Sequence, residues 1–485
     1  MASLSRYPVS TAVPADPGRR VSRTQLTACV AAGNPVTAEV GVTILEQGGS
    51  AGDAVAAMVV ASCVAETVFT GLGGGGFATY FDAATSTVSC LDFFVAVPGL
   101  AGRRSAQVQH IPIDFGGVVV PYAVGPATVA VPGLPAGVEA LHRRWGRLSW
   151  PEVLAPSIRH AEHGVTLAPM HAKVLSTIAP AMLIGGGTSV YGRDGAALPS
   201  GSHLFHPGLD RSLRMLRDEG AQAFYSGPIA EQMVRAVGEK GDLSAPDLAA
   251  YEVLDTIPRH VTIGDVDVMA RGDDLDDLLT TLARLELCSD DAELATRLVS
   301  LLRAEPRRGD TTSLAVCDDE GNACAATTSM GLSSGVWLPD YGIHLNSMLG
   351  EGELLRHRLQ PGERMSSMMS PLVVLAADAP VLVAGAAGGS RIRSALTQVL
   401  VNVVHHQMSV QDAVDAPRLH PVPGRVHVEP GMRDSVLDAL RKTDEVVAWP
   451  ALDSYFGGVA AIGLSGPGAD PRRGGDVRRL GAPVS

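Results

Sequence analysis

The sequence predicts a multi-layer enzyme fold of helices and β-hairpins, and three observations carry that prediction. A chain of 485 residues can bury a large core, which a small binding module cannot. Hydrophobic residues make up 46% with only 4% aromatic, so the core is built mainly from Ala, Val and Leu, as in compact helix-and-sheet enzymes. Helical spacing and period-two runs both occur along the chain, with Gly and Pro stops between them.

Residues 1–25 are polar, proline-bearing and aperiodic, and read as a loose N-terminal arm. Val36, Val40, Val42, Ile44 and Leu45 have helical spacing from Pro35 to Gln47, and Gly48-Gly49 supply a left-handed C-cap. A second helix, capped by Asp53, runs Ala54–Thr67 and is alanine-rich enough to bury on nearly all sides. After Gly71–Gly76, the stretches Phe77–Phe81 and Val88–Leu91 alternate as a hairpin. Leu134–Tyr251 is mainly helical, and Leu294, Leu298, Leu301 and Leu302 define another helix over Asp291–Arg303. The polar run Glu305–Asp310 follows it. Thr311–Cys317 and Ala323–Ser329 then read as strands around the turn Asp318–Asn322. A hairpin centred on Glu320 sets Thr311 opposite Ser329, within a residue of register.

Composition excludes several functions. The formal charge is −13 and the only lysines are Lys173, Lys240 and Lys442, so no nucleic-acid or anionic-membrane partner is expected. Cys29, Cys63, Cys90, Cys288, Cys317 and Cys324 form no C-x-x-C pair and read as buried free thiols of a reducing compartment. The N-terminus lacks the apolar stretch of a secretory signal, and Ala54–Ala65 is too short to span a bilayer, so a cytoplasmic protein without a transmembrane segment is expected.

Four motifs have a bland reading that outweighs the functional one. Gly71–Gly76 satisfies G-x-G-x-x-G, but a helix precedes it and a strand follows, the reverse of a dinucleotide site, so it reads as a close-packed turn. Gly331-Leu-Ser333-Ser-Gly335 matches a nucleophile elbow, yet Pro339 argues against the required helix. Arg271–Asp277 reads as an acidic helix start rather than a metal cluster. His405-His406 read as helix residues without ligand partners, so no metal is expected.

One motif rises above these. Gly309-Asp310-Thr311-Thr312, followed by Asp319–Asn322 and Gly342-Ile-His-Leu-Asn346, resembles the nucleophile region of the γ-glutamyltransferase family of N-terminal nucleophile hydrolases. The resemblance extends in family order through Gly48–Ala54, Gly71–Phe77, Leu91-Asp92-Phe93 and Val131-Pro132-Gly133 before that region. Beyond it lie Ser366-Ser367, Gly388–Arg391, Ala416–His420 and Ala469–Gly475.

The resemblance implies an α+β fold of four αββα layers, two stacked, mainly antiparallel sheets between helices. It implies a precursor cut at Asp310–Thr311 into a large part, 26–310 behind the arm, and a small part, 311–485, sharing one domain. Thr311 would be the nucleophile, and its freed α-amine, a group that ordinarily titrates at about 7.7–8.0, the base. Gly388 and Gly389 would supply oxyanion N–H donors, and Ser329 a hydroxyl beside Thr311. The partners implied are a small-molecule amide or γ-glutamyl donor and a water or amine acceptor, with no cofactor.

The sequence also departs from the family. Phe94 stands where an arginine usually holds the donor carboxylate, so a bidentate anchor is missing. Gly331 and Met348 stand near polar donor-binding positions, and Glu351 is placed to replace the usual acidic partner. Ser366 and Ser367 keep the paired hydroxyls with one extra Met nearby. The Pro-Ser-Gly stretch before Thr311 is absent, and so is a long lid between Glu351 and Arg364. The expectation is a γ-glutamyltransferase-like enzyme of altered donor specificity; the alternatives are an amide acylase, a C–C hydrolase of a biosynthetic intermediate, or a non-catalytic unprocessed relative.

Overall fold

The computed structural model describes residues 25–102, 108–114, 119–272, 275, 277–303, 311–351, 354 and 358–481. Two antiparallel sheets are stacked at its centre. Their strands are β1 (Cys29–Ala32), β2 (Gly75–Asp82), β3 (Thr87–Phe93), β4 (Leu254–Thr256), β5 (Arg259–Ile263), β6 (Val266–Ala270), β7 (Thr312–Cys317), β8 (Ala323–Ser329), β9 (Leu372–Ala376), β10 (Ala379–Ala387), β11 (Gly458–Gly463), β12 (Gly466–Ala469) and β13 (Asp476–Arg479). The first sheet has the order β4-β3-β2-β8-β7-β1-β13 and the second β5-β6-β9-β10-β11-β12. Strands from before and after residue 310 interleave in the first sheet and lie side by side in the second, so neither part holds a complete sheet.

Helices α1 (Pro35–Glu46) and α2 (Ala51–Ala65) cover the outer face of the first sheet, and Arg391–Val404 and Val410–Asp415 cover that of the second. This is the αββα arrangement the resemblance implies. The central strands are buried on both faces, and their period of two divides them between two layers. Val30, Leu314, Val316, Cys324 and Ala326 join the core under α2. Cys29, Ala31, Ala315, Cys317, Ala323 and Ala325 meet Val383, Ala460 and Ile462 of the second sheet. The inter-sheet layer is thus rich in small side chains, and at Gly385 the space a Cβ would need is taken by Ser313 Oγ.

Every residue of α2 is buried, as its alanine content predicts. Its start differs from the sequence reading. Ser50, not Asp53, is the N-cap, and Asp53 is the third helical residue, accepting a hydrogen bond from the Ser50 N–H at 2.9 Å. A serine with an acid three residues on forms a reciprocal box, which accounts for a helix beginning three residues early. Asp53 Oδ2 also accepts from Arg147 N at 2.8 Å and Leu148 N at 3.1 Å, tying α2 to the turn after the helix Leu134–Trp145.

Gly48 has φ +83° after α1, as a left-handed cap requires, and the hairpin of β2 and β3 is present but longer than predicted. Helices dominate 134–251, and Asp291–Leu302 is a helix. All six cysteines are free thiols, but Cys288 is half-buried. His405 caps the helix Arg391–Val404, and Asp291 lies 3.7 Å from His406, an acid partner that sequence spacing does not reveal. Asp277 accepts from Thr280 N at the start of Leu278–Ala283; Asp273, Asp274 and Asp276 lie outside the described residues. Among the described residues no helix is long and apolar enough to cross a membrane, and no cluster of His, Cys, Asp or Glu is placed to hold a metal.

Asp53→Ala is expected to lower the unfolding free energy by about 2–4 kcal/mol, because several buried N–H donors lose their acceptor together. Chemical denaturation checks this, and an unchanged midpoint would show that water replaces the carboxylate.

Candidate functional site

The site is built on the β7–β8 hairpin. Its pairs run from Cys317↔Ala323 to Thr312↔Thr328, a register centred on residue 320, so Thr311 and Ser329 fall just beyond its last pair. Towards that end the residues turn from Ala and Cys to Thr312, Ser313, Thr327, Thr328 and Ser329, all buried. Thr70 Oγ1 donates to Thr328 Oγ1 at 2.9 Å, and Ser313 Oγ and Thr327 Oγ1 lie 3.2 Å apart. Thr311 itself is 4% exposed. Asp310 lies outside the described residues, as does the proposed cleavage segment before it.

The glycine run closes neighbouring strands onto Ser329. A Cβ on Gly75 would stand 2.7 Å from Phe93 O and 2.9 Å from Phe94 Cα, and one on Gly74 would stand 3.0 Å from Met330 Cβ. Only hydrogen at these positions lets backbone meet backbone. The dinucleotide pattern is therefore a packing device, in keeping with the sequence reading. Asn346 is fully buried and ties the run to its surroundings, donating to Gly73 O at 2.8 Å and Ala130 O at 2.9 Å while accepting from Met348 N at 3.2 Å. Sequence reading quoted Asn346 without giving it this role.

A small cavity opens at this end, lined by Phe94, Thr311, Ser329, Met348, Glu351, Leu354, Ser367, Met368, Met369, Gly389 and Ile392. It gathers Phe94, Thr311, Ser329, Met348, Glu351, Ser367 and Gly389 of the candidates. Two others do not line it. Ser366 is half-buried and outside the lining, whereas its buried neighbour Ser367 takes the inner position. Gly388 sits behind Gly389 in the turn that leads into Arg391–Val404, with φ +126° and +59° at the two glycines. Leu354, Met368, Met369 and Ile392 complete the wall, and no residue pattern distinguishes them from ordinary core.

Phe94 stacks at 5.3 Å on Phe77, and the Arg271 guanidinium lies 3.7 Å over the Phe77 ring while Nη1 donates to Met369 O at 3.1 Å. Arg364 stands behind Phe94, donating from Nη1 to its carbonyl at 2.6 Å and pairing with Asp92 at 3.3 Å. Sequence reading missed it. Its guanidinium holds the backbone of residue 94 rather than entering the cavity. Among the described residues no Arg or Lys lines the cavity.

Glu351 is buried, and its Oε1 accepts from Tyr122 Oη at 2.7 Å. Tyr122 in turn lies 3.0 Å from Ser347 Oγ and accepts from Leu332 N at 3.2 Å. Burial first, then the Glu351 charge, pushes the Tyr122 phenol far above its ordinary range. Gly331, at φ +71°, packs where a Cβ would meet Glu351 Oε1 at 2.5 Å. Ser333 of the apparent elbow is wholly buried and is followed by the short strand Trp337–Leu338, not a helix.

A buried ion network braces the glycine turn. Arg418 pairs with Asp470 at 2.6 Å, Asp470 with Arg472 at 3.1 Å, and Arg472 with Glu429 at 2.5 Å. Arg418 Nη1 donates to Gly457 O at 3.2 Å, and Gly457 Cα lies 2.9 Å from the place of a Gly388 Cβ. Burial pushes the Asp470 carboxyl up, but Arg418 and Arg472 outweigh it and hold it below the usual carboxylate range.

Asp470→Asn leaves two arginines buried with less countercharge, and the expected cost is about 3–5 kcal/mol at pH 7. A depressed native pKa contributes stability above the unfolded value of about 3.9 and loses it as pH falls through the native value. Denaturation of both proteins across pH is therefore expected to give curves that converge below about pH 4; a constant gap would show that the charge is not the cause.

The sequence pattern of the Gamma-glutamyltranspeptidase family matches residues 37–275 and 280–484. The chain is 25% identical to the glutathione hydrolase proenzyme of Bacillus subtilis (strain 168), covering 81% of this chain and 80% of that one. It is 27% identical to the acylase ACY 1 proenzyme of Pseudomonas sp. (strain SE83), covering 90% of each. Among solved structures, cephalosporin acylase from Bacillus halodurans superimposes with a TM-score of 0.77 at 23% identity over 99% of both chains, a likeness of fold.

Proposed function

The chain belongs to the gamma-glutamyltranspeptidase family, and from that membership we propose that it is an acyl-transferring hydrolase that cuts its own Asp310–Thr311 bond and uses Thr311 as nucleophile. The observation that carries this reading is the cavity in which Thr311, Ser329 and Gly389 meet at the end of one hairpin. Self-cleavage frees the Thr311 amine. That amine takes the proton of Thr311 Oγ1 as the oxygen attacks a substrate carbonyl, and the N–H groups of Gly388 and Gly389 receive the oxyanion. The leaving amine departs with the transferred proton, and water or an amine acceptor opens the resulting ester by the reverse sequence. The relatives named as proenzymes support a chain that works as two fragments.

The donor is read from the cavity wall. Phe94, Met348, Leu354, Met368, Met369 and Ile392 are apolar, and Glu351 is engaged by Tyr122. A γ-glutamyl carboxylate therefore finds no guanidinium among the described lining residues. Losing a charge-assisted hydrogen bond costs about 1.5–3 kcal/mol, one to two powers of ten in kcat/KM. We infer an amide donor whose acyl chain is apolar at the end that meets Phe94, the acylase side of the family.

Purified wild type is expected to give two bands on denaturing electrophoresis, the smaller beginning at Thr311, whereas Thr311→Ala stays one 485-residue chain. A single wild-type band after long incubation would overturn the nucleophile assignment. Donor choice is tested separately with γ-glutamyl and butyryl p-nitroanilides. Wild type is expected to favour the butyryl donor, and Phe94→Arg to raise kcat/KM for the γ-glutamyl donor by about tenfold or more. Fast γ-glutamyl turnover by wild type, unimproved in Phe94→Arg, would show that another group holds the carboxylate.

A further inference from the structure

Thr311 borders a second cavity, and we propose that Glu66 and Arg473 within it are positioning residues that set the protonation of the Thr311 amine. This rests on the reading of Thr311 as N-terminal nucleophile. The cavity, a small one, lies where β1, β7, β10 and β11 end, and its lining includes Glu66, Phe69, Thr311, Thr312 and Arg473. It holds both an acid and a guanidinium, Glu66 and Arg473, whereas no Arg or Lys is among the described residues that line the acyl cavity.

Glu66 stands at the C-terminal cap of α2 and is clamped at both oxygens. Thr37 Oγ1 donates to Oε1 at 2.6 Å, and Thr312 Oγ1 donates to Oε2. Because Thr312 directly follows Thr311, this second bond fixes the carboxylate relative to the backbone nitrogen that cleavage turns into an amine. Gly33 makes room, since a Cβ there would lie 2.7 Å from Oε2. Arg473 crosses Gly458, lies 4.9 Å over the Phe69 ring and brings Nη2 to 3.5 Å from the place of a Gly388 Cβ. It therefore borders both the Gly388 turn and the cavity that Thr311 lines.

The other charged and titratable groups nearby are already committed. Asp470 is paired with Arg418 and Arg472, and Arg391 donates to Tyr455 O. His171, edge-on to Phe69, is held neutral, with its pKa lowered to about 4 by burial and then by Arg473. The Cys63 thiol is pushed far up by burial and by Glu66. Glu351 borders Thr311 from the acyl cavity. Burial holds the Glu66 carboxyl above its ordinary range, and the Thr312 and Thr37 hydroxyls and Arg473 offset that in part by favouring the ionised form.

The two charges pull the amine in opposite directions. A carboxylate favours the ammonium form, and a guanidinium favours the neutral amine that can accept the Thr311 proton. Removing each charge alone must therefore shift the amine with opposite sign, which loss of packing would not do.

The experiment is a brief acetic anhydride pulse across pH on the cleaved enzyme, with acetylation of the N-terminal peptide of the small chain read by mass spectrometry. The acetylation midpoint is expected to fall by about half a pH unit or more in Glu66→Gln and to rise by about as much in Arg473→Gln. A variant that fails to self-cleave is made by co-expressing 1–310 with 311–485, with wild type prepared the same way. Unchanged midpoints, a shift in one variant only, or shifts of the same sign in cleaved protein overturn the coupling and leave Thr311 as nucleophile. An uncleaved wild type overturns the nucleophile reading and the coupling with it.

Discussion

The register of β7 against β8 is the constraint on which the rest of the site depends. Both strands lie inside the first sheet and are buried on each face, so a slip by one residue would send every Ala and Cys of the inter-sheet layer into the α2 core. The Asp318 turn fixes the centre of the hairpin: its Oδ1 accepts from Glu320 N at 3.0 Å and Asn322 N at 2.9 Å, and its Oδ2 from Ala51 N at 2.8 Å. One carboxylate thus fixes the turn and docks it on the start of α2. The nearness of Thr311 and Ser329, one residue beyond the last pair, is then a consequence of counting back along two strands.

Close approach of backbone supplies the second requirement. The inter-sheet layer uses Ala and Cys where larger residues would hold the sheets apart, and Gly74 and Gly75 let Ser329, Phe93 and Phe94 converge. A site of buried hydroxyls costs free energy unless each hydroxyl finds a partner. Here they bond to one another and to Glu66. The same economy explains the ion network beneath Gly388. Two arginines and two acids, all wholly or nearly buried, hold Gly457 by its carbonyl, and so hold the turn packed against it.

Local pattern made much of this legible. Helical spacing located α1 and the helix at 291–302, alternation located the β2–β3 hairpin, and turn chemistry located the β7–β8 hairpin and centred it on residue 320. The four-layer arrangement came from resemblance, because no period along the chain says which sheet lies on which. What stayed hidden depends on contacts between distant residues. Arg364 reaches Phe94 only because residues 364–365 run beside 95–96 as an added ladder, and Tyr122 meets Glu351 through a hairpin that carries no motif. Ser366 and Ser367 look equivalent in sequence, yet only Ser367 lines the cavity. Asp53 was misread by a single rule, since Ser50 three residues earlier is an equally good cap and the acid serves it better from inside the helix.

The two cavities that share Thr311 divide the chemistry between desolvation and charge. On the acyl side, a donor carboxylate would leave water for a wall of Phe94, thioethers and aliphatic groups, with no described cation to meet it, whereas each buried methylene gains about 0.8 kcal/mol there. Exclusion of charge is therefore itself a source of selectivity. On the opposite side, charge is retained and confined by hydroxyl clamps and an aromatic face. Confinement matters because an electrostatic effect on a neighbouring amine falls with distance and with access to water. On the proposed reading of Thr311, charges behind the strand end and apolar side chains before it let the acyl group be chosen without cations that would disturb the base, and donor specificity would then change at positions such as 94 with the nucleophile end left fixed.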